Sequence, residues 1–129
     1  MIELQTNVPA SMVAAVAHGK VTGQDYDEVL VPAIEAGLRV APKLALYYEF
    51  ANDFEGFTAA AAWDDAVVGL RHFRDIDKAA VVADVGWVRQ AVRMFAWMMP
   101  CPVKVFALAE AAAAKQWLAA PPAQASQAG

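Results

Sequence analysis

The residues of this 129-residue chain that could do chemistry are few and scattered. Its two histidines, His18 and His72, stand far apart and belong to no H-x-x-x-H or H-x-E pattern, so neither has metal-ligand spacing. His72 lies within Arg71-His72-Phe73-Arg74-Asp75, and on a helix it shares the polar side with Asp65. Those residues make either an acid–base pair or a solvated polar face that supports the helix end. The lone cysteine, Cys101, has no neighbouring cation or helix N-terminus to lower its pKa, and reads as a buried or turn thiol. Gly19, Gly23, Gly37, Gly56, Gly69 and Gly86 complete neither a dinucleotide fingerprint nor a phosphate-binding loop, and G-x-S-x-G does not occur. No catalytic residue, metal or cofactor is implied, and the chain is not expected to be an enzyme.

Two other groups carry more information. The loop Asn52-Asp53-Phe54-Glu55-Gly56-Phe57 places two phenylalanines around an acidic turn, at the sheet edge where α/β proteins bind ligands. Asp53, Phe54, Glu55 and Phe57 either cap an apolar pocket as a lid or anchor the loop to the core. The second group lies on a helix from about Val85 to Met98, where Trp87, Val88, Ala91, Val92, Met94, Phe95, Met98 and Met99 cover a wide apolar arc. Trp63, Trp87 and Met94 are candidate pocket lining. Arg89, Arg93 and Trp97 form an i, i+4, i+8 row on the remaining side. Cations beside an indole suit a lipid interface or a dimer contact, unless the last helix covers Trp97.

The elements that must position these groups follow from periodicity. Ile2–Gln5 and Ser11–Ala17 read as antiparallel strands, and Thr22 with Asp25 resembles a capping box that opens a helix reaching Leu38. Pro32 lies inside that helix, where it clashes with the Glu28 carbonyl and predicts a kink. Lys43–Phe50 reads as a central strand, Ala59–Phe73 as a helix, and Lys78–Ala83 as a strand covered on both faces, with Asp84 placed to cap the helix that follows. Val103–Ala107 completes the strands and Ala109–Ala119 the helices. The order β-β-α-β-α-β-α-β-α predicts one α/β domain over residues 1–119, with a mixed sheet of about five strands, about four helices, and right-handed crossovers between the parallel strands. Residues 120–129 are expected to form a disordered tail.

Composition narrows the class of partner. A chain this short holds one core, and its hydrophobic fraction of 59% is high largely through alanine. A net charge of −4 and a pI near 5.0 argue against nucleic acid as a partner. One cysteine permits no internal disulfide, Met1–Gln5 lacks a signal-peptide pattern, and no run reaches the ~20 apolar residues of a membrane span. A cytoplasmic protein is expected, with at most peripheral contact at the inner membrane face.

Several segments together resemble a known family. They are Gly19-Lys20-Val21-Thr22 with Asp25-Tyr26; Asp53 to Phe57; Trp63 with His72-Phe73-Arg74-Asp75; Ala80-Val81-Val82 with Asp84 and Trp87; and Val103-Lys104-Val105-Phe106. In order and spacing, across about residues 2–118, they are similar to the SpoIIAA-like family of short bacterial proteins. The resemblance implies a fold like the STAS domains of anti-sigma-factor antagonists, with a likeness to the lipid-carrying CRAL-TRIO fold, and no established enzyme activity. It leads to the expectation of a non-catalytic carrier or sensor of a small apolar or lipid-like molecule, with reversible membrane association. The alternative is a dimeric protein-interaction or regulatory module of the antagonist type; an enzyme centred on His72 is a third reading. Antagonists of that type present a phosphorylatable hydroxyl in the turn before the second helix, where this chain has only Thr58. Asp53 and Glu55 would repel a phosphate there, so a phosphate switch is not expected.

Overall fold

A computed structural model describes residues 1–58, 75–96 and 101–120, the last two of the middle stretch by backbone alone. Its main sheet has five strands in the order β1 (Ile2–Leu4), β2 (Met12–Ala17), β4 (Leu44–Phe50), β6 (Ile76–Val82) and β7 (Val103–Phe106). β1 runs antiparallel to β2, and every later pair is parallel. This is the mixed five-stranded sheet that the patterning predicts. A second ladder, β3 (Lys20–Val21) with β5 (Gly56–Phe57), is an addition too short to leave any alternation in the sequence.

Between β2 and β4 the chain forms α1 (Gly23–Asp25), a π turn (Tyr26–Leu30) and α2 (Val31–Leu38) as one helical run. The capping box is formed: the Asp25 carboxylate accepts from the Thr22 amide at 2.8 Å, and the Asp25 amide donates to the Thr22 hydroxyl at 3.2 Å. Pro32 sits just after the π turn, at the start of α2, and the Val31 amide donates to the Tyr26 carbonyl five residues back. Widening the helix ahead of Pro32 relieves the clash that a proline inside a helix creates.

The helices α3 (Gly86–Ala96) and α4 (Ala111–Ala119) complete the three helical segments among the described residues. The helix expected over Ala59–Phe73 and the tail from Pro121 lie outside them. Strand alternation sorts the sheet into two faces. Val13, Ala15, Leu44, Tyr48 and Phe50 pack with Leu30, Ile34 and Val88, so the two described crossover helices, α2 and α3, share one side. Met12, Ala14, Tyr47, Ala80 and Val82 face Ala114 and Leu118 of α4 on the other.

Lys78 occupies that second face at 4% exposure. Its ammonium donates to the carbonyls of Trp117 and Ala120 at 2.9 and 2.7 Å; the first also accepts from the Ala120 amide at 3.3 Å, and the second belongs to the residue that ends α4. Asp84, expected to cap α3, instead accepts from the Leu108 amide at 2.9 Å, joining the turn after β6 to the 3-10 turn (Leu108–Glu110) after β7.

Candidate functional site

The turns that follow β2, β4 and β6 lie at one edge of the sheet, the carboxyl ends of its parallel strands. Gly19 takes φ +54°, a conformation that favours glycine, and turns the chain after β2 toward the loop after β4. The Gly19 amide donates to the Asp53 carbonyl at 3.0 Å, the Glu55 amide to the Gly19 carbonyl at 2.7 Å, and the Thr58 amide to the Val21 carbonyl at 2.9 Å. With the β3–β5 ladder, these bonds hold the base of the 52–57 loop by its backbone.

An aromatic series rises from the core through that loop. Tyr48 and Phe50 stack with centroids 4.7 Å apart, and Phe54 and Phe57 meet Phe50 edge-on at 4.8 and 5.9 Å. The two loop phenylalanines contact each other at 5.2 Å, and Trp87 of α3 lies 6.1 and 6.2 Å from them. Phe50 is buried and Phe54 and Phe57 are half-buried, whereas Trp87 is 54% exposed. Apolar surface thus runs from the core to solvent without a polar break.

The orientation of α3 decides which of its residues take part. Val88 is buried and Val92 packs beside it, so the contact with the sheet uses only one flank of the wide apolar arc. Trp87, Ala91 and Met94, at i, i+4 and i+7, face outward, and Met94 is 71% exposed. Arg89 is half-buried and its guanidinium donates to the Ala83 carbonyl at 2.8 Å, which ties the helix to the end of β6; Arg93 is exposed. Trp63, His72 and Trp97 lie outside the described residues.

A polar cluster adjoins the loop, and no sequence spacing signals it. His18 Nδ1 lies 2.9 Å from Asp53 Oδ1, and His18 Nε2 lies 3.2 Å from Glu3 Oε1. The Asp53 hydrogen bond is the main influence on the ring and outweighs desolvation, so with help from Glu3 the imidazole is raised above its ordinary value of 6.5. These side chains border an open notch of about 570 Å³ together with Met1, Gly19 and Lys20. Cys101 is buried, and that burial, reinforced by Asp77, pushes its thiol up. Among the described residues, no three His, Cys, Asp or Glu side chains are grouped as a metal site would need. Nor is any described helix long and apolar enough to cross a membrane.

A mixed sheet with helices on both faces and an edge that presents ring faces and hydrogen-bonding loops defines a binding or regulatory module of STAS-like fold. The SpoIIAA-like family model matches residues 12–119, and the chain belongs to that family. An uncharacterised protein of Shewanella loihica PV-4 with a SpoIIAA-like fold is similar in structure, with a TM-score of 0.69 and 25% identity over 91% of this chain and 93% of that one. Comparison with curated proteins gives no match.

Proposed function

We propose that this chain is a non-catalytic binding domain that takes a small apolar or lipid-like molecule at the surface formed by Phe54, Phe57 and Trp87. The observation that carries the reading is Trp87, more than half exposed while resting on two phenylalanines that are themselves anchored to Phe50. A solvated indole backed by rings offers a flat apolar platform whose area a ligand can remove from water. Ala91 and Met94 extend the platform along α3, and Arg93 supplies a cation near its end for an anionic headgroup, which suits reversible association with a membrane face. The same outward row favours a second reading, in which α3 is the contact surface of a dimeric regulatory module.

Binding of Nile red, a neutral apolar dye, and sedimentation with phosphatidylglycerol–phosphatidylcholine vesicles test the proposal, with Trp87→Ser as the control. The variant is expected to lose roughly tenfold in dye affinity, the worth of about half an indole's burial. Absence of dye and vesicle binding by the natural chain removes the carrier reading. A dimer in light scattering that Met94→Glu dissociates establishes the second one.

A further inference from the structure

We infer that His18 is a proton-operated fastener on the 52–57 loop, holding Phe54 and Phe57 down on Phe50 when its ring carries both protons and loosening them when it loses one. The inference rests on the proposed binding surface, whose regulation it describes. Its basis is the geometry of the two ring nitrogens. Each faces a carboxylate oxygen, and an ionised carboxylate can only accept. Both bonds form together only if both nitrogens donate, which requires the imidazolium. A neutral ring keeps one bond and turns a lone pair toward the other carboxylate.

The surroundings reinforce this. Glu3 comes from β1 and Asp53 from the loop, so the ring bridges elements that are distant in sequence. Glu55 Oε2 lies 3.7 Å from where a Cβ on Gly19 would stand. The terminal ammonium donates to the carbonyls of His18 and Lys20 and lies 3.3 Å from Asp25. Four carboxylates (Glu3, Asp25, Asp53 and Glu55) therefore stand against two other cations, Lys20 and the ammonium, and the acidic excess favours the charged ring. Asp53 immediately precedes Phe54, which touches Phe50, Phe57 and Trp87, so the clamp acts on the residue that seats the aromatic surface.

The direction follows from linkage. The folded ring holds its proton to a higher pH than the unfolded one, so the clamp's contribution is complete below about pH 6.5 and is lost as pH rises through the folded value. Acid fastens the loop and mild alkali frees it. The aromatic surface should accordingly become more accessible to an apolar molecule as pH rises from 6 to 8.

The test is an NMR titration of the full chain between pH 5 and 9. It follows the His18 ring, identified by its absence in His18→Gln, and the exchange of the Gly19 and Glu55 amides relative to that of Tyr48. Nile red affinity is measured at each pH. The expected result is a ring titration above 6.5, a loss of relative protection at Gly19 and Glu55 along the same curve, and roughly a three- to tenfold gain in dye affinity from pH 6 to 8, the scale of one ordinary hydrogen bond at a solvent-exposed site. His18→Gln should flatten both profiles. Asp53→Asn, which keeps the shape and removes the charge, should move the ring titration down. Loop protection that ignores the titration, or pH profiles identical in the natural chain and both variants, would overturn the inference. If the loop amides follow His18 but the dye does not bind at any pH, the fastener stands and the proposed ligand class falls.

Discussion

Replacing Lys78 tests whether a buried ammonium holds α4 on the sheet. Its two hydrogen bonds, at 2.9 and 2.7 Å, go to the last carbonyls of that helix, and its ammonium lies 5.3 Å from the Trp117 ring centroid. A hydrogen bond from a charged donor contributes about 1.5–3 kcal/mol net, while burying the ammonium costs several kcal/mol. The two effects leave a predicted loss of about 2 kcal/mol for Lys78→Met, which keeps the apolar stem, strands the Ala120 carbonyl and leaves the Trp117 carbonyl with the Ala120 amide alone. Lys78→Ala also removes three buried methylenes at about 0.8 kcal/mol each, for a total near 4 kcal/mol. Urea denaturation followed by far-ultraviolet circular dichroism measures both. In a thermal melt the methionine variant should fall by roughly 6–10 °C. Faster amide exchange in α4 should accompany the loss, because the acceptors belong to its final turn. A Lys78→Met chain as stable as the natural one would refute the reasoning: desolvation would then cancel the bonds, and the lysine would contribute only its stem.

Two further outcomes follow from packing. A Cβ on Gly37 would stand 2.9 and 3.1 Å from the methyl carbons of Leu44, which is fully buried, so Gly37→Ala should destabilise by about 1 kcal/mol in a thermal melt once its gain of about 1 kcal/mol in helix propensity is offset by overpacking. A stabilised variant would mean that Leu44 has room to turn away. Burial and the raised thiol predict that Cys101 reacts with a disulfide reagent at pH 8 at least about tenfold more slowly in the folded chain than in guanidinium, and equal rates would contradict the burial.

Much of the framework was legible because it rests on local signals. Thr22 and Asp25 mark a helix start through chemistry that spans three residues, and the aromatic content and length of Lys43–Phe50 mark a strand, whose pleat places Tyr48 and Phe50 on one face wherever it goes. The bounds slipped where a polar residue interrupts the pattern: β6 begins at Ile76, but Asp77 hides it. What the pattern could not convey depends on the third dimension. The apolar arc of α3 is wider than the strip a sheet can cover, and periodicity alone does not say whether Val88 or Trp87 lies inward. Arg89 looks solvent-facing on a helical wheel, yet it reaches back to Ala83. His18 and Asp53 are 35 residues apart and meet only because Gly19 turns the chain, a pairing without any short-range signature. The loop phenylalanines were visible as a pair and Trp87 as lining beside them; the ring-to-ring geometry was not.

One arrangement in the fold bears on how the chain is made. The crossover helices α2 and α3 pack on one side of the sheet, so that side fills as the chain lengthens. The opposite side, with Met12, Ala14, Tyr47, Ala80 and Val82, meets Ala114 and Leu118 of α4, the last described helix. Until that helix docks, the patch of the sheet that Ala114 and Leu118 cover is open apolar surface. Chains stalled before residue 111 should therefore be the ones that chaperones hold, and release should coincide with the emergence of Leu118.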